Sequence, residues 1–151
     1  MKKVLLFVFF CILTWSVDSL IFATDSRQYI ECLPNGTYYV TEVEECDSIM
    51  FLSNTKTAKK TTKFYNSNGS VVWFVSVSAT FSYSNTGSTC VNASVTAGSY
   101  DAFWKIISKS SNKRGNIGIA NAVAGHYFNN NLLNKYSRSV SISCDRYGNI
   151  S

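Results

Sequence analysis

Thiol–imidazole catalysis by this chain would depend on its single histidine, His126, acting together with a cysteine. Cys90 or Cys144 would supply the thiol of such a pair. The reaction needs a thiolate, and a cysteine bonded in a disulfide cannot provide one. Because both cysteines are predicted to form disulfides in an exported protein, we predict no catalytic residue.

Carboxylates are the other residues with catalytic potential. Glycoside hydrolysis uses two acids about 5 to 9 Å apart on opposite sides of the scissile bond. Glu42 and Glu44 lie on one side of a predicted strand, whereas Asp101 and Asp145 lie at strand ends, where turn hydrogen bonds explain them. These acids also lack the alternating Asp or Asn pattern, with a glycine, of a calcium loop. We therefore predict no enzyme activity, no metal site and no cofactor.

Basic residues cluster at two places in a chain whose formal net charge is +5. Such surfaces attract anionic polymers or anionic membranes. Lysines that keep an exposed edge strand from aggregating would give the same pattern. Nucleic acid is not a predicted partner, because the chain has no recognition motif and is predicted to be exported. The candidate residues are Lys56, Lys59, Lys60, Lys63, Lys109, Lys113 and Arg114.

Aromatic side chains indicate a second kind of ligand, since exposed rings stack on sugars while serine and asparagine supply hydrogen bonds. Tyr65, Phe74 and Tyr127 are the candidates for glycan binding, and Trp73 is excluded because its register faces the core. The alternative is that these rings simply pack the sandwich. The general preference of aromatic residues for strands favours that alternative.

These residues are positioned by β-strands. From Val71 to Tyr83 the odd positions are apolar and the even positions mostly polar, which predicts a strand with one face on a core. Similar patterns predict strands at 28–33, 37–43, 88–97, 100–108, 115–128 and 133–144, of which 115–128 would also tolerate a helix. The lysine-rich stretch 53–63 is predicted to be a connection or an exposed edge strand. The predicted fold is all-β, an antiparallel β-sandwich.

The start of the chain has the pattern of a secretory signal peptide. Lys2 and Lys3 precede an apolar stretch, Val4–Val17, that is shorter than the about 20 residues of a membrane-spanning helix. Cleavage is predicted after Ala23, with Ser19 as the second choice and an uncleaved anchor as the alternative. No second apolar segment follows, so the product is predicted to be secreted, without an integral membrane segment. The predicted organisation is a signal-peptide helix at 1–23, an acidic hairpin or arm at 24–52 and a β-sandwich domain at 53–151.

Removal of the signal peptide also removes Cys11 and leaves four cysteines. An even number of cysteines in an exported chain predicts disulfides, here with three possible connectivities. We favour Cys32–Cys46, across a hairpin, and Cys90–Cys144, between a middle strand and the last one.

Charge is unevenly distributed along the chain. Residues 24–47 carry six acids and only Arg27 as a base, whereas residues 48–151 carry eleven basic residues and only Asp101 and Asp145. This asymmetry fits either an acidic arm docked on a basic body or two separately solvated faces.

Four segments carry a resemblance by their order. They are Phe64–Gly69, which opens the Trp73 strand, the Cys90 strand, the Trp104 strand and the closing Ser143–Asn149. Together they resemble small secreted β proteins of Gram-positive, low-GC bacteria, over roughly residues 60–151. The resemblance implies a compact β-sandwich exported with a signal peptide, and it implies no activity.

These features predict a secreted, non-enzymatic protein that binds a cell-wall polymer or glycan at the cell surface. The alternative is a secreted antimicrobial or toxin-like protein that acts on neighbouring membranes, which small size, export and positive charge would suit.

Overall fold

The computed structural model describes residues 27–46 and 54–151, so the predicted signal peptide and its cleavage site lie outside the described residues. Within these two ranges the regular elements are all β-strands, which confirms the predicted all-β fold. No helix long and apolar enough to span a membrane occurs in them. The strands are β1 (Arg27–Cys32), β2 (Tyr38–Cys46), β3 (Thr55–Tyr65), β4 (Val71–Ser84), β5 (Gly87–Ser99), β6 (Trp104–Arg114), β7 (Ile117–Phe128) and β8 (Asn131–Ser143).

The strands form two antiparallel sheets, one in the order β1-β2-β3-β4-β5 and one in the order β6-β7-β8. Each strand pairs with the strand before it, except at the step from β5 to β6, where the chain crosses to the second sheet. β7 packs on β4 and β5, while β8 packs on β3 and β4. Two layers joined in this way are the predicted antiparallel sandwich.

Alternating side chains build the core between the two sheets. From Trp73 to Phe81 the odd-numbered side chains of β4 are buried there, as the sequence pattern predicts. β7 faces them with alanines and with Gly118, at which an added Cβ would lie only 2.7 Å from the Cβ of Ala79. Small residues on β7 therefore allow the sheets to approach closely. The core-facing residues of β4 are Trp73, Val75, Val77, Ala79 and Phe81.

β1 and β2 form a hairpin that extends the large sheet, and β2 pairs along its whole length with β3. The turn of the hairpin places Gly36 at φ 76°, a left-handed conformation that glycine adopts without strain. The acidic strand thus lies directly beside the lysine-rich strand. Of the two arrangements compatible with the charge asymmetry, docking of the acidic segment on the basic one is the one observed.

Two strand predictions need correction. The lysine-rich stretch is neither a connection nor an edge strand, because β3 lies between β2 and β4. The strand predicted at 100–108 begins only at Trp104 and continues to Arg114. Residues 100–103 instead form the corner between the sheets, where the Oδ1 atom of Asp101 accepts a hydrogen bond from the backbone N–H of Phe103.

The predicted disulfide pairing Cys32–Cys46 is wrong for a reason of register. Cys32 is opposite Tyr38 on β2, and Cys46 lies eight residues further along that strand. Eight residues of strand span about 26 Å, whereas the two Cα atoms of a disulfide lie within about 7 Å. The first hairpin therefore cannot be cross-linked by these residues.

The predicted pairing Cys90–Cys144 is not formed either, since Cys32, Cys90 and Cys144 are free thiols. The Sγ atom of Cys90 donates to the carbonyl of Asn92 at 3.2 Å, and that of Cys144 donates to the carbonyl of Asp145 at 3.4 Å. Each thiol is therefore directed at the backbone of its own segment rather than at the other thiol. Burial raises the pKa of both thiols, so they are neutral at physiological pH.

Candidate functional site

A groove crosses the outer face of the five-stranded sheet, which is the face turned away from β6, β7 and β8. Its volume is about 430 Å³. Strand alternation decides which side chains line it: the even-numbered residues of β3 face the second sheet, so the odd-numbered ones face outward. The lining residues are Glu42, Glu44, Lys59, Thr61, Lys63, Phe74, Ser76, Thr96 and Tyr100.

One wall of this outer-face groove is aromatic. The ring of Phe74 lies over Gly98 on the adjacent strand, where an added Cβ would come within 2.8 Å of the ring. The ring of Tyr100 stands 5.5 Å from that of Phe74, centroid to centroid, and Tyr100 is 69% exposed. The missing side chain at Gly98 therefore makes room for a ring that is fixed by packing, beside a second ring that is open to solvent.

The opposite wall consists of two ion pairs between β2 and β3. Lys63 Nζ lies 2.7 Å from Glu42 Oε2, and Lys59 Nζ lies 3.3 Å from Glu44 Oε2. The hydrogen bond to Glu42 raises the pKa of Lys63. Because each lysine has its own carboxylate, this wall offers charged donors and acceptors while its net charge is zero.

Hydroxyl groups form the floor of the groove. Thr61 and Ser76 are directly opposite each other on β3 and β4, and their hydroxyl oxygens are 2.7 Å apart. Thr96 is opposite Ser76 on β5 and lines the groove beside them. A hydroxyl both donates and accepts hydrogen bonds, so the floor is suited to polar ligands of either kind.

A stacked aromatic pair lies near one end of the groove. Tyr38 and Tyr65 are opposite each other on β2 and β3, with ring centroids 4.8 Å apart and an interplanar angle of 5°. Tyr65 shares the outer face with Lys63, two residues away on the same strand. The pair continues the aromatic surface of the sheet beyond the charged wall.

The predicted binding residues divide among several surfaces. Lys59, Lys63 and Phe74 line the groove, and Tyr65 lies beside it. Lys56 and Lys60 have even numbers on β3 and therefore lie on the opposite face, so the lysine cluster of β3 does not form one patch.

The other predicted residues lie on the second sheet. Lys109, Lys113 and Arg114 belong to the exposed strand β6, and Lys113 Nζ donates to the carbonyl of Val91 at 2.6 Å. Tyr127 lies on β7 under Lys105, whose Nζ is 5.2 Å from the ring centroid. These residues are remote from the outer-face groove.

The sequence analysis missed six lining residues of the groove as site residues: Glu42, Glu44, Thr61, Ser76, Thr96 and Tyr100. The two glutamates were interpreted as solvated, and their ion pairs become visible only through the register of β2 against β3. The alternation of β4 did identify Phe74 as an outward-facing ring. The sheet face to which a side chain points can therefore be predicted from the sequence, whereas the residue opposite it on the neighbouring strand cannot.

Neither cysteine lies near His126. His126 stacks on Trp104, with ring centroids 4.9 Å apart. Cys90 packs near Gly118, eight residues earlier on β7, where its Sγ atom would lie 3.5 Å from an added Cβ, and the backbone N–H of Cys144 donates to the carbonyl of Asn116, just before β7. Eight residues of strand span about 26 Å.

Comparisons with known proteins add no assignment: no protein-family model matches the chain, and no curated protein or solved structure is significantly similar to it.

Proposed function

We propose that this protein is exported and acts as a non-enzymatic binding protein for an uncharged glycan, which it holds in the outer-face groove. The observation that carries the proposal is the composition of that groove: an aromatic wall, a wall of paired charges and a hydroxyl floor. Its volume of about 430 Å³ lies within the range of roughly 300–1,000 Å³ that is usual for small-molecule sites.

A sugar ring has the surface properties that this groove complements. Its faces present C–H groups, which pack on rings such as Phe74 and Tyr100. Its rim presents hydroxyls, which pair with the carboxylate of Glu42, the ammonium of Lys63 and the hydroxyl of Thr61. Because the lysines of the groove are paired, a neutral glycan fits it better than a polyanion.

Export follows from the signal-peptide pattern of residues 1–23, and it brings the protein to glycans at the cell surface. The resemblance to small secreted proteins of Gram-positive bacteria supports the wall polymer as the source of the glycan. In this proposal Lys59 and Lys63 fix the geometry of the groove through their ion pairs instead of attracting a polyanion.

The proposal predicts retention of the purified protein on isolated bacterial cell walls, measured by depletion from the supernatant. Retention should persist between 0.1 and 1 M salt, over which the Debye length falls from about 10 to about 3 Å. Tyr100→Ala should lower the partition constant roughly 3- to 10-fold, since a ring contact contributes about 0.5–1.5 kcal/mol. Tyr100 is 69% exposed, so its removal leaves the core intact.

Tyr147→Ala is the matched control, because Tyr147 is 64% exposed but lies in the last turn, away from the groove. Its partition constant should equal that of the unaltered protein. Absence of retention at every salt concentration, or unchanged retention by Tyr100→Ala, would exclude the outer-face groove as the binding site. Retention that disappears at high salt would instead show that basic side chains bind the wall electrostatically.

An apolar surface on the second sheet favours a different function, action on membranes. We call it the apolar tip. The backbone N–H of Tyr127 donates to the carbonyl of Phe103 at 2.7 Å, and the side chains of Ile107 and Leu132 both lie over Gly125. The tip comprises the exposed side chains of Phe103, Ile107, Phe128, Leu132 and Leu133.

Two lysines flank the apolar tip, because Lys105 and Lys135 are opposite Gly125 on its two sides. Exposed apolar side chains with flanking cations fit an anionic bilayer. The apolar side chains would contact the hydrocarbon, and the lysines would contact the lipid phosphates. This surface supports the alternative of an antimicrobial or toxin-like protein.

Co-sedimentation with vesicles tests the membrane function. Binding is expected to phosphatidylcholine vesicles that contain phosphatidylglycerol, and less to phosphatidylcholine alone. Leu133→Glu should reduce the bound fraction roughly tenfold, since burial of a leucine side chain contributes about 1.5–3 kcal/mol. Val91→Glu changes an equally exposed side chain on β5 and should bind as the unaltered protein does. Equal sedimentation of the two variants would remove the apolar tip as the membrane contact.

A further inference from the structure

A second cleft lies on the side of the large sheet that faces β8, across the sheet from the outer-face groove. Its volume is about 280 Å³. We call it the Arg138 cleft, and its lining residues are Tyr29, Ile30, Glu31, Thr41, Lys60 and Arg138.

Arg138 reaches this cleft from β8 and is held in a fixed orientation. Its Nη2 atom lies 2.6 Å from Glu31 Oε2, and its guanidinium carbon lies 4.3 Å from the ring centroid of Tyr39. Its Nε atom is buried and has no hydrogen-bond partner among the described residues. Buried donors in proteins are nearly always paired, so the guanidinium keeps a donor that Glu31 does not satisfy.

Lys60 supplies a second cation to the cleft. Lys56, Lys59 and Lys63 on the same strand all form ion pairs, whereas Lys60 forms none with any residue in 27–46 or 54–151. Burial lowers the pKa of Lys60, because loss of water disfavours the ammonium form. Burying a charge without a partner costs free energy, and an anionic ligand would offset that cost by pairing with the ammonium of Lys60.

Among the described residues that line the cleft, the charges do not cancel. Two cations, Lys60 and Arg138, stand against one carboxylate, Glu31. The hydrogen bond from Arg138 lowers the pKa of Glu31, which is therefore ionised at neutral pH. These lining residues keep one excess positive charge, which an anion would offset.

We propose that the Arg138 cleft binds a phosphate group, with Lys60 and Arg138 as its cationic ligands. A tetrahedral phosphate accepts hydrogen bonds from several directions at once, so it can pair with the guanidinium of Arg138 and the ammonium of Lys60 together. The hydroxyl of Thr41, which pairs with that of Thr62 at 2.8 Å, lines the same cleft. The phosphate is either the free ion or a phosphodiester within a larger polymer, and this site does not depend on the outer-face groove.

The proposal is tested by NMR titration of the ¹⁵N-labelled protein. Inorganic phosphate is one probe, and diglycerol phosphate, in which a phosphodiester joins two glycerol molecules, is the other. Sodium chloride at equal ionic strength is the reference. Saturable shifts are expected at the amides of Thr41, Lys60 and Arg138. Lys60→Gln should weaken phosphate binding roughly tenfold, which is the effect of losing one charge-assisted hydrogen bond.

Lys59→Gln is the matched control, because Lys59 immediately precedes Lys60 but faces the other side of the sheet and pairs with Glu44. It should bind phosphate as the unaltered protein does. Arg138→Lys keeps the charge but removes the Nε donor, and should weaken binding in a protein whose circular dichroism is unchanged.

Equal affinity in Lys60→Gln and Lys59→Gln, or no shifts beyond those with chloride, would overturn the proposal. Tighter binding of the diester than of inorganic phosphate would identify a phosphodiester polymer as the source, and binding of inorganic phosphate alone would identify the free ion. Tyr100→Ala should leave phosphate binding unchanged, so this proposal and the glycan proposal fail separately.

Discussion

Replacement of Trp73 by alanine is expected to lower the free energy of unfolding by about 3–5 kcal/mol, the usual cost of removing a large buried aromatic side chain. Trp73 is 1% exposed, and its ring packs against those of Tyr39 and Phe64, each at a centroid distance of 6.4 Å. Equilibrium unfolding in urea, followed by far-ultraviolet circular dichroism, measures the change. Phe103→Ala, at a side chain that is 55% exposed, should change the free energy of unfolding by only about 0.5 kcal/mol.

Trp73→Phe separates the packing of the ring from its polar group. The indole Nε1 is buried and has no hydrogen-bond partner among the described residues, and an unpaired buried donor costs about 1–3 kcal/mol. Phenylalanine removes that cost while it leaves a small cavity, so the two effects oppose each other. The expected loss is below about 1.5 kcal/mol. A loss as large as that of Trp73→Ala would show that the indole N–H is stabilised in the fold.

The sequence predicts a strand correctly where apolar and polar residues alternate within that strand. β4 alternates apolar and polar residues along its length, because one of its faces is buried under β7 and β8. β3 does not show that pattern, since Lys56 and Lys60 occupy its inner face near the sandwich edge while Phe64 occupies the core. Charge at inward positions therefore made an interior strand resemble an edge strand.

The candidate site shows the same division. The outward direction of Phe74 follows from its parity on β4. The ion pairs of Lys63 and Lys59 with β2 depend on the register of β2 against β3, which the residue pattern within either strand does not specify. The disulfide prediction failed for this reason too, because the spacing of Cys32 and Cys46 gives no information on which residues are opposite each other.

Ile150→Ala is expected to cost about 2–5 kcal/mol of unfolding free energy, although Ile150 is the penultimate residue described. Its side chain is 1% exposed and belongs to the core between the sheets. The segment that carries it folds back on the end of β8. Cys144 and Ile150 form an isolated antiparallel β-bridge, and Ser143 and Ser151 exchange backbone hydrogen bonds of 2.9 and 3.0 Å. The sequence pattern ends the last strand at Cys144 and gives no sign of this return.

Ile30→Ala is the control, since it makes the same chemical change at a side chain that is 64% exposed on β1. Its effect should stay within about 0.5 kcal/mol, measured by urea unfolding under the same conditions. The carbonyl of Ile150 also accepts a hydrogen bond from Arg27 Nη1 at 3.2 Å, so the last turn connects β8 to β1 across the open side of the sandwich. If Ile150→Ala and Ile30→Ala unfold at the same urea concentration, the C-terminal segment does not stabilise the core. The strands alone would then account for the stability of the sandwich.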